Sequence, residues 1–191
     1  MKHIWSFGLL FICLASCKPK PEEYYVKRIK IGPRTINTTK VIIDKSVQAN
    51  KTRLTYKTAF DTVSYIIDNQ NKKKSQLLPP TYGAESFHLV EDYSVKVANK
   101  EYRIFHFSTF DGTMDGGSEH YWNEDLGVFF TRGRSWPNYF VLESTDEKKN
   151  KIIWNLVKEV YPAIKDRLED IDWLEKEGLT AKGEKAATNN M

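Results

Sequence analysis

The sequence predicts an α+β domain in which an antiparallel β-sheet is packed against a C-terminal amphipathic helix. From Tyr24 to about Glu143, β-branched and aromatic residues alternate with polar ones, and this period of two is typical of half-buried antiparallel strands. After Ser144, apolar residues recur at helical spacing instead. Because a sheet with one apolar face and a helix with one apolar stripe can cover each other, the two patterns together indicate one layered domain.

The strands are predicted where the alternation is clearest, and loops where turn-forming residues cluster. Asn99-Lys100 is a plausible tight turn between two strands. The segment 69–83, rich in Asn and Lys and ending near two prolines, is predicted to be a solvated loop, and Gly127 suits a bulge or a close backbone approach. The predicted strand segments are 41–47, 54–58, 61–68, 87–97, 102–107, 121–130 and 139–142.

The helix is predicted to start after a capping box, because Glu147 lies three residues after Ser144. Pro162 is expected to kink or split it, and Gly178 is a natural end. We therefore expect one domain over residues 24–178, followed by a flexible tail at 179–191. The apolar stripe consists of Ile152, Ile153, Leu156, Val157, Val160, Tyr161, Ile164, Leu168, Ile171 and Leu174.

The first 17 residues have the three parts of an export signal. Lys2 and His3 form a basic end, residues 4–14 are almost wholly apolar, and small residues precede Cys17. The apolar run is shorter than the about 20 residues that a spanning helix needs. An ordinary signal peptide cleaved at another position is the alternative reading of the same pattern.

The run Leu14-Ala15-Ser16-Cys17 resembles the lipobox of bacterial lipoproteins. The resemblance implies that residues 1–16 are a signal peptide and that Cys17 carries a diacylglyceryl thioether, with a further acyl chain such as palmitate on the new amino group. Several acyl chains anchor a protein stably, whereas one does not. Residues 17–23 then form a lipidated cysteine and a short tether that holds the domain close to a membrane.

This resemblance implies a location in the bacterial cell envelope, most simply the outer membrane, and leaves the periplasmic and the surface side both open. The stretch from Tyr121 to Phe130, with the later Trp136, resembles a hairpin of many uncharacterised exported bacterial lipoproteins. That second resemblance implies fold alone.

Composition narrows the function classes. The chain has 191 residues, which suits a single domain, and its net charge of +4 is too mild to indicate a nucleic-acid partner. The two cysteines are Cys13, inside the signal, and Cys17. After lipidation no thiol is left for a disulfide or a cysteine-based metal site, and no cofactor is expected.

Candidate catalytic and metal-ligating residues cluster between positions 111 and 120. Asp111, Asp115 and His120 offer a possible metal site, although their spacing does not fit a calcium-binding EF-hand loop and turn geometry is the favoured explanation of the aspartates. Ser118, Glu119 and His120 contain the residue types of a catalytic triad, but neighbouring strand residues point to opposite faces. The sequence also lacks the Gly-x-Ser-x-Gly motif, so it favours a non-catalytic protein over an enzyme.

Aromatic and basic residues near the hairpin suggest a binding face formed by Trp122, Arg132, Arg134 and Trp136. The alternative is that the aromatics fill the sheet core and the arginines lie on a solvated turn. We therefore expect a lipid-anchored envelope protein that binds a partner, such as another envelope protein, at the membrane surface. A small envelope hydrolase or metal-dependent enzyme centred on residues 111–120 is the alternative.

Overall fold

The computed structural model describes residues 22–30, 35–78, 87–109, 116–135 and 138–164. These residues form ten strands of one antiparallel sheet and one α-helix, so the structure agrees broadly with the expected α+β class but is dominated by the sheet. The strands are β1 (Tyr24–Lys30), β2 (Thr35–Gln48), β3 (Lys51–Lys57), β4 (Thr62–Asp68), β5 (Gln76–Leu78), β6 (His88–Val97), β7 (Lys100–Ser108), β8 (Ser118–Asn123), β9 (Gly127–Gly133) and β10 (Asn138–Ser144); the helix is α1 (Glu147–Val160).

Two meanders make up the sheet. The strand order is β5-β4-β3-β2-β1-β10-β9-β8-β7-β6, so β1–β5 and β6–β10 each run as neighbours in sequence. The pairing of β1 with β10 joins the two meanders in the middle, and it pairs Tyr24 with Ser144 at one end and Lys30 with Asn138 at the other. The first and last strands thus lie at the centre of the sheet.

The long strand β2 lets the sheet curl. Its first half, Thr35–Val41, pairs with β1, and its second half, Ile42–Gln48, pairs with β3. Beyond that point β3, β4 and β5 contribute Leu54, Tyr65 and Leu77 to one buried cluster with residues of the other meander. The sheet therefore forms a half-barrel whose concave side is closed by contacts between β3–β5 and β7–β9. The other members of this cluster are Ile67, Phe87, Phe105, Phe107, Trp122 and Val128.

The helix contributes to a second buried cluster. Ile153, Leu156 and Val157 are fully buried among residues of β1, β9 and β10, including Ile29, Phe129 and Val141. The predicted capping box at Ser144 and Glu147 is wrong. Ser144 is the last residue of β10, and the carboxylate of Asp146 instead accepts hydrogen bonds from the N–H groups of Lys148 (2.9 Å) and Lys149 (3.1 Å).

The described helix ends before Pro162, as the proline predicted, and Tyr161 is its C-cap. The remainder of the predicted stripe, the domain limit at Gly178 and the tail at 179–191 lie outside the described residues. Within the described part of the chain, no helix is long and apolar enough to span a membrane.

One strand was predicted closely, and one turn was predicted a residue away from its actual position. Segment 61–68, predicted as a strand, is β4 at Thr62–Asp68. The tight turn is Ala98–Asn99 rather than Asn99-Lys100, because Lys100 already pairs with Val97. Both turn residues have positive φ (49° and 65°), as a two-residue hairpin of type I′ requires.

The segment predicted as a solvated loop after Asn69 is more ordered than expected. Its described part, 69–78, contains a 3₁₀ turn, Lys72–Lys74, followed by β5. The ammonium group of Lys72 lies 5.1 Å from the ring centroid of Phe105 and 5.0 Å from that of Trp122. Lys72 thus packs over aromatic residues, and burial lowers its pKa.

Candidate functional site

A cavity of about 720 Å³ lies on the concave side of the half-barrel, between β3–β5 and the strands β1, β2, β8, β9 and β10. Its walls are mostly apolar, with a few polar groups among them. The apolar lining is provided by Val26, Val41, Tyr56, Phe60, Val63, Leu77, Val128, Phe130, Phe140 and Leu142; charged or polar lining residues include Arg28, Asp61, Tyr65, Ser118, His120, Thr131, Arg134 and Asn138.

The register of the sheet explains why residues so distant in sequence meet here. Arg28 pairs with Phe140, Phe140 with Thr131, Thr131 with His120, and His120 with Phe107. Directly opposed residues of antiparallel strands project from the same face. This row of five residues therefore crosses β1, β10, β9, β8 and β7 on the concave side.

His120 is the buried polar centre of the cavity wall. Its Nε2 atom lies 2.6 Å from the hydroxyl of Ser118, and its Nδ1 atom lies 3.2 Å from the hydroxyl of Tyr65 and 3.3 Å from that of Thr131. Burial, together with the charge of His106, lowers the pKa of His120 to about 3. The imidazole is therefore neutral near pH 7, and its hydrogen bonds link β4, β8 and β9.

The Ser118–His120 contact was missed at the sequence level. The argument that neighbouring strand residues point apart holds for Glu119, which lies on the opposite face. It does not hold for Ser118 and His120, because residues two apart on a strand share a face. Two members of the possible triad therefore meet, whereas the carboxylate of Glu119 does not reach the imidazole of His120.

Arg28 was not singled out by the sequence, and yet it is the cation on the central strand of the cavity floor. Its guanidinium carbon lies 5.2 Å from the ring centroid of Phe140. Its Nε atom is buried, and no acceptor within the described residues contacts it. The signal available in sequence was weak, because Arg28 directly follows Lys27 and does not stand out among the charged residues of this strand.

Glu119 is the centre of a second polar cluster on the convex side. Its carboxylate accepts a 2.7 Å hydrogen bond from Nε of Arg132 and lies 3.5 Å from Nε of Arg134 and from Nε2 of His106. His106 stacks on Tyr121 with a 4.6 Å centroid distance, and burial raises the pKa of Tyr121 to about 12. This cluster is an internal ion network that stabilises the sheet.

The predicted binding residues are spread over different environments. Trp122 is only 2% exposed and lies in the core beneath Lys72, which agrees with the alternative interpretation of the aromatics. Arg132 and Arg134 both lie within ion-pair distance of Glu119 on the convex side, and Arg134 is also among the residues that line the cavity. Trp136 lies outside the described residues. These four side chains do not form one exposed binding face in the described part of the structure.

The predicted metal site cannot be assembled from the described residues. Asp111 and Asp115 lie outside them, and His120 is bonded to hydroxyl groups. No group of three His, Cys, Asp or Glu side chains in the described ranges is arranged to hold a metal ion.

Protein-family models, curated proteins and solved structures were each compared with this chain. None of them matches it.

Proposed function

We propose that this protein is a lipid-anchored protein of the bacterial cell envelope that binds a small, largely apolar ligand in the concave cavity and does not transform it. The observation that carries the proposal is the cavity itself. Its volume of about 720 Å³ lies within the roughly 300–1,000 Å³ that is usual for small-molecule sites, and its lining combines apolar walls with few polar groups, as such sites do.

The walls of the cavity are held in place by hydrogen bonds between the two meanders. The N–H of Val128 on β9 donates to the hydroxyl of Tyr56 on β3 at 2.7 Å, and Tyr65 on β4 contacts His120 on β8. A cavity braced in this way loses little conformational freedom when it is filled, which favours binding.

The chemistry of His120 supports a non-catalytic role. A general base works best when its pKa lies near the working pH, and that of His120 is lowered to about 3. In a catalytic triad a carboxylate holds the imidazole and stabilises its charged form. Here the hydroxyls of Tyr65 and Thr131 occupy that position, and they provide no negative charge.

The proposed lipid on Cys17 places the cavity where apolar molecules are abundant. Six residues, 18–23, separate Cys17 from Tyr24, the first residue of β1. A tether of that length keeps the half-barrel near the membrane surface. An envelope protein that delivers or receives the ligand is the partner that this arrangement favours.

The test is photolabelling of the full-length protein in membranes with an uncharged long-chain alkyl diazirine. We expect crosslinks on cavity-lining peptides of β4, β9 and β10. Val63→Trp places an indole ring in the cavity and should reduce this labelling, whereas the matched control Thr62→Trp adds the same ring at an exposed neighbour and should not. Thermal unfolding of both variants separates blocked binding from loss of the fold. Labelling spread over the surface, or equal in both variants, would contradict the proposal.

A hydrolase is the second candidate, because Ser118 Oγ lies 2.6 Å from His120 Nε2 at the cavity wall. A nucleophile within hydrogen-bond distance of a base is the geometric signature of covalent catalysis. A fluorophosphonate probe that labels the wild-type protein but not Ser118→Ala would establish this candidate. Absence of labelling at Ser118 is the result that the binding proposal expects.

A further inference from the structure

We infer that the ligand of this cavity is an amphipathic anion, whose carboxylate or phosphate head pairs with Arg28 and whose aliphatic part lies along the apolar walls. The inference rests on the proposed function and adds the chemical class of the ligand. It starts from the position of one guanidinium group relative to the cavity.

Arg28 brings a positive charge among apolar residues, and one of its hydrogen-bond donors has no acceptor among the described residues. Its Nε atom is buried, and none of the described residues accepts a hydrogen bond from it. Leaving a buried donor of a charged group unpaired is unfavourable, so an acceptor is expected to occupy the adjacent space. A carboxylate or phosphate fits, because both accept the paired N–H groups of a guanidinium.

The ring of Phe140 orients this guanidinium. The 5.2 Å distance from Cζ of Arg28 to the ring centroid is within the range of a cation–π contact. Phe140 and Arg28 are also direct cross-strand neighbours, so the contact is built into the register of β1 and β10. Such a contact limits the motion of the side chain and leaves its edge available to an anion.

Apolar residues adjoin Arg28 in the cavity wall. Val26 lies on the same face of β1, two residues before Arg28, and pairs with Leu142. Among the described lining residues, Asp61 is the single carboxylate, and it accepts the N–H of Thr62 at 2.8 Å. Arg134 lines the cavity as well, but its Nε lies 3.5 Å from the carboxylate of Glu119, so Arg28 is the cation assigned to the ligand head. A ligand with one acidic head and an aliphatic tail matches this distribution.

The test compares three diazirine probes of equal chain length on the full-length protein in membranes: a fatty acid, an alkyl phosphate and the methyl ester of the fatty acid. The wild-type protein should bind the two acids roughly tenfold or more tightly than the ester, as expected for one charge-assisted pair. A preference for only one of the acids identifies the headgroup.

Variants of Arg28 assign that preference. Arg28→Met should weaken labelling by the acids about tenfold or more and leave labelling by the ester unchanged, and Arg28→Lys should keep part of the preference because it keeps the charge. Arg53→Met, an exposed arginine on β3 outside the cavity lining, is the matched control and should change neither. Thermal unfolding shows whether each variant is folded.

The outcomes separate this inference from the proposed function. Equal labelling of the wild-type protein by acid and ester, or a preference that survives in Arg28→Met, would overturn the inference while leaving an apolar binding site in place. Failure of acid, ester and the uncharged alkyl diazirine alike to label cavity residues would overturn both.

Discussion

The N–H of Val128 on β9 donates a hydrogen bond to the hydroxyl of Tyr56 on β3, with the two atoms 2.7 Å apart. Seventy-two positions separate the two residues in sequence. This bond connects the two meanders across the concave side, and it depends on Gly127, whose φ of +77° and missing Cβ leave room for the Tyr56 hydroxyl. The geometry of the cavity therefore depends on a contact between one side chain and one strand of the opposite meander.

We predict that Tyr56→Phe destabilises the protein by about 1–3 kcal/mol, because it leaves the buried N–H of Val128 without its acceptor. Urea denaturation measures the change. Tyr25→Phe is the matched control, since the Tyr25 hydroxyl donates to the carboxylate of Glu23 at the partly exposed start of β1, and its effect should be much smaller. Equal losses in the two variants would show that the Tyr56 bond is not important for stability.

Gly127→Ala should be destabilising by about 1–2 kcal/mol or more. An alanine at φ +77° is strained, and its Cβ would overlap the hydroxyl of Tyr56. Removing that hydroxyl relieves the overlap, so the double variant Tyr56→Phe with Gly127→Ala should lose less stability than the two single changes combined. Strict additivity in the denaturation measurements would mean that the two residues do not interact as the structure shows.

Acidification should weaken the fold through His120. Its pKa is lowered to about 3 in the folded state, whereas the unfolded side chain titrates near 6.5. Between these values the unfolded chain binds a proton that the folded chain does not, so stability falls as the pH falls from about 6.5 towards 3. The slope from this group is on the order of 1 kcal/mol per pH unit.

Denaturation at several pH values between 7 and 5 checks this prediction. His120→Gln removes the titrating group and should flatten the dependence on pH, even if it lowers stability overall. Ser94→Gln, at an exposed position on the edge strand β6, introduces the same side chain without removing a titrating group, so it is the control and should leave the slope unchanged. A slope that is the same in wild type and His120→Gln would refute the role assigned to His120.

The Glu119 cluster should be far more sensitive to charge removal than the surface ion pairs. Glu119→Gln leaves the guanidinium of Arg132 without its carboxylate in a partly buried position and should cost about 3 kcal/mol or more. Asp92→Asn breaks an exposed pair with Arg103 and should cost no more than about 1 kcal/mol. Thermal unfolding of the two variants measures both losses of stability. Similar losses would show that the Glu119 network is not important for stability.

The proposed lipid anchor predicts a specific dependence on one cysteine. Cys17→Ser should abolish acylation, so the protein should no longer carry the added mass of the acyl chains, and the mature chain should no longer begin at residue 17. Cys13 lies inside the apolar run, so Cys13→Ser should change neither the acylation nor the start of the mature chain. Mass spectrometry of protein extracted from membranes measures both, and an unmodified mature mass in the wild type would rule out lipidation.

The sequence by itself determined the local elements and the class of the fold. Three local features follow from patterns that act over a few residues. The period of apolar side chains gives the strand around Leu54 and the strand Thr62–Asp68, and the backbone chemistry of proline gives the end of the helix before Pro162. The same local information suggested that Gly127 permits a close backbone approach, as its contact with Tyr56 shows. It was misleading where two local signals competed, as at the cap of α1, where Asp146 rather than Ser144 binds the first N–H groups.

The tertiary structure alone decided which residues share the cavity. Arg28, Phe140 and His120 are aligned by the registers of β1–β10, β10–β9 and β9–β8, and register is a property of strand pairs that no single segment contains. The curl of β2 brings Tyr56 and Tyr65 over the other meander, so that a polar histidine is buried and an arginine faces apolar walls. These contacts arise between segments far apart in the chain, which is why hydrophobic period could predict the sheet but not the cavity on its concave side.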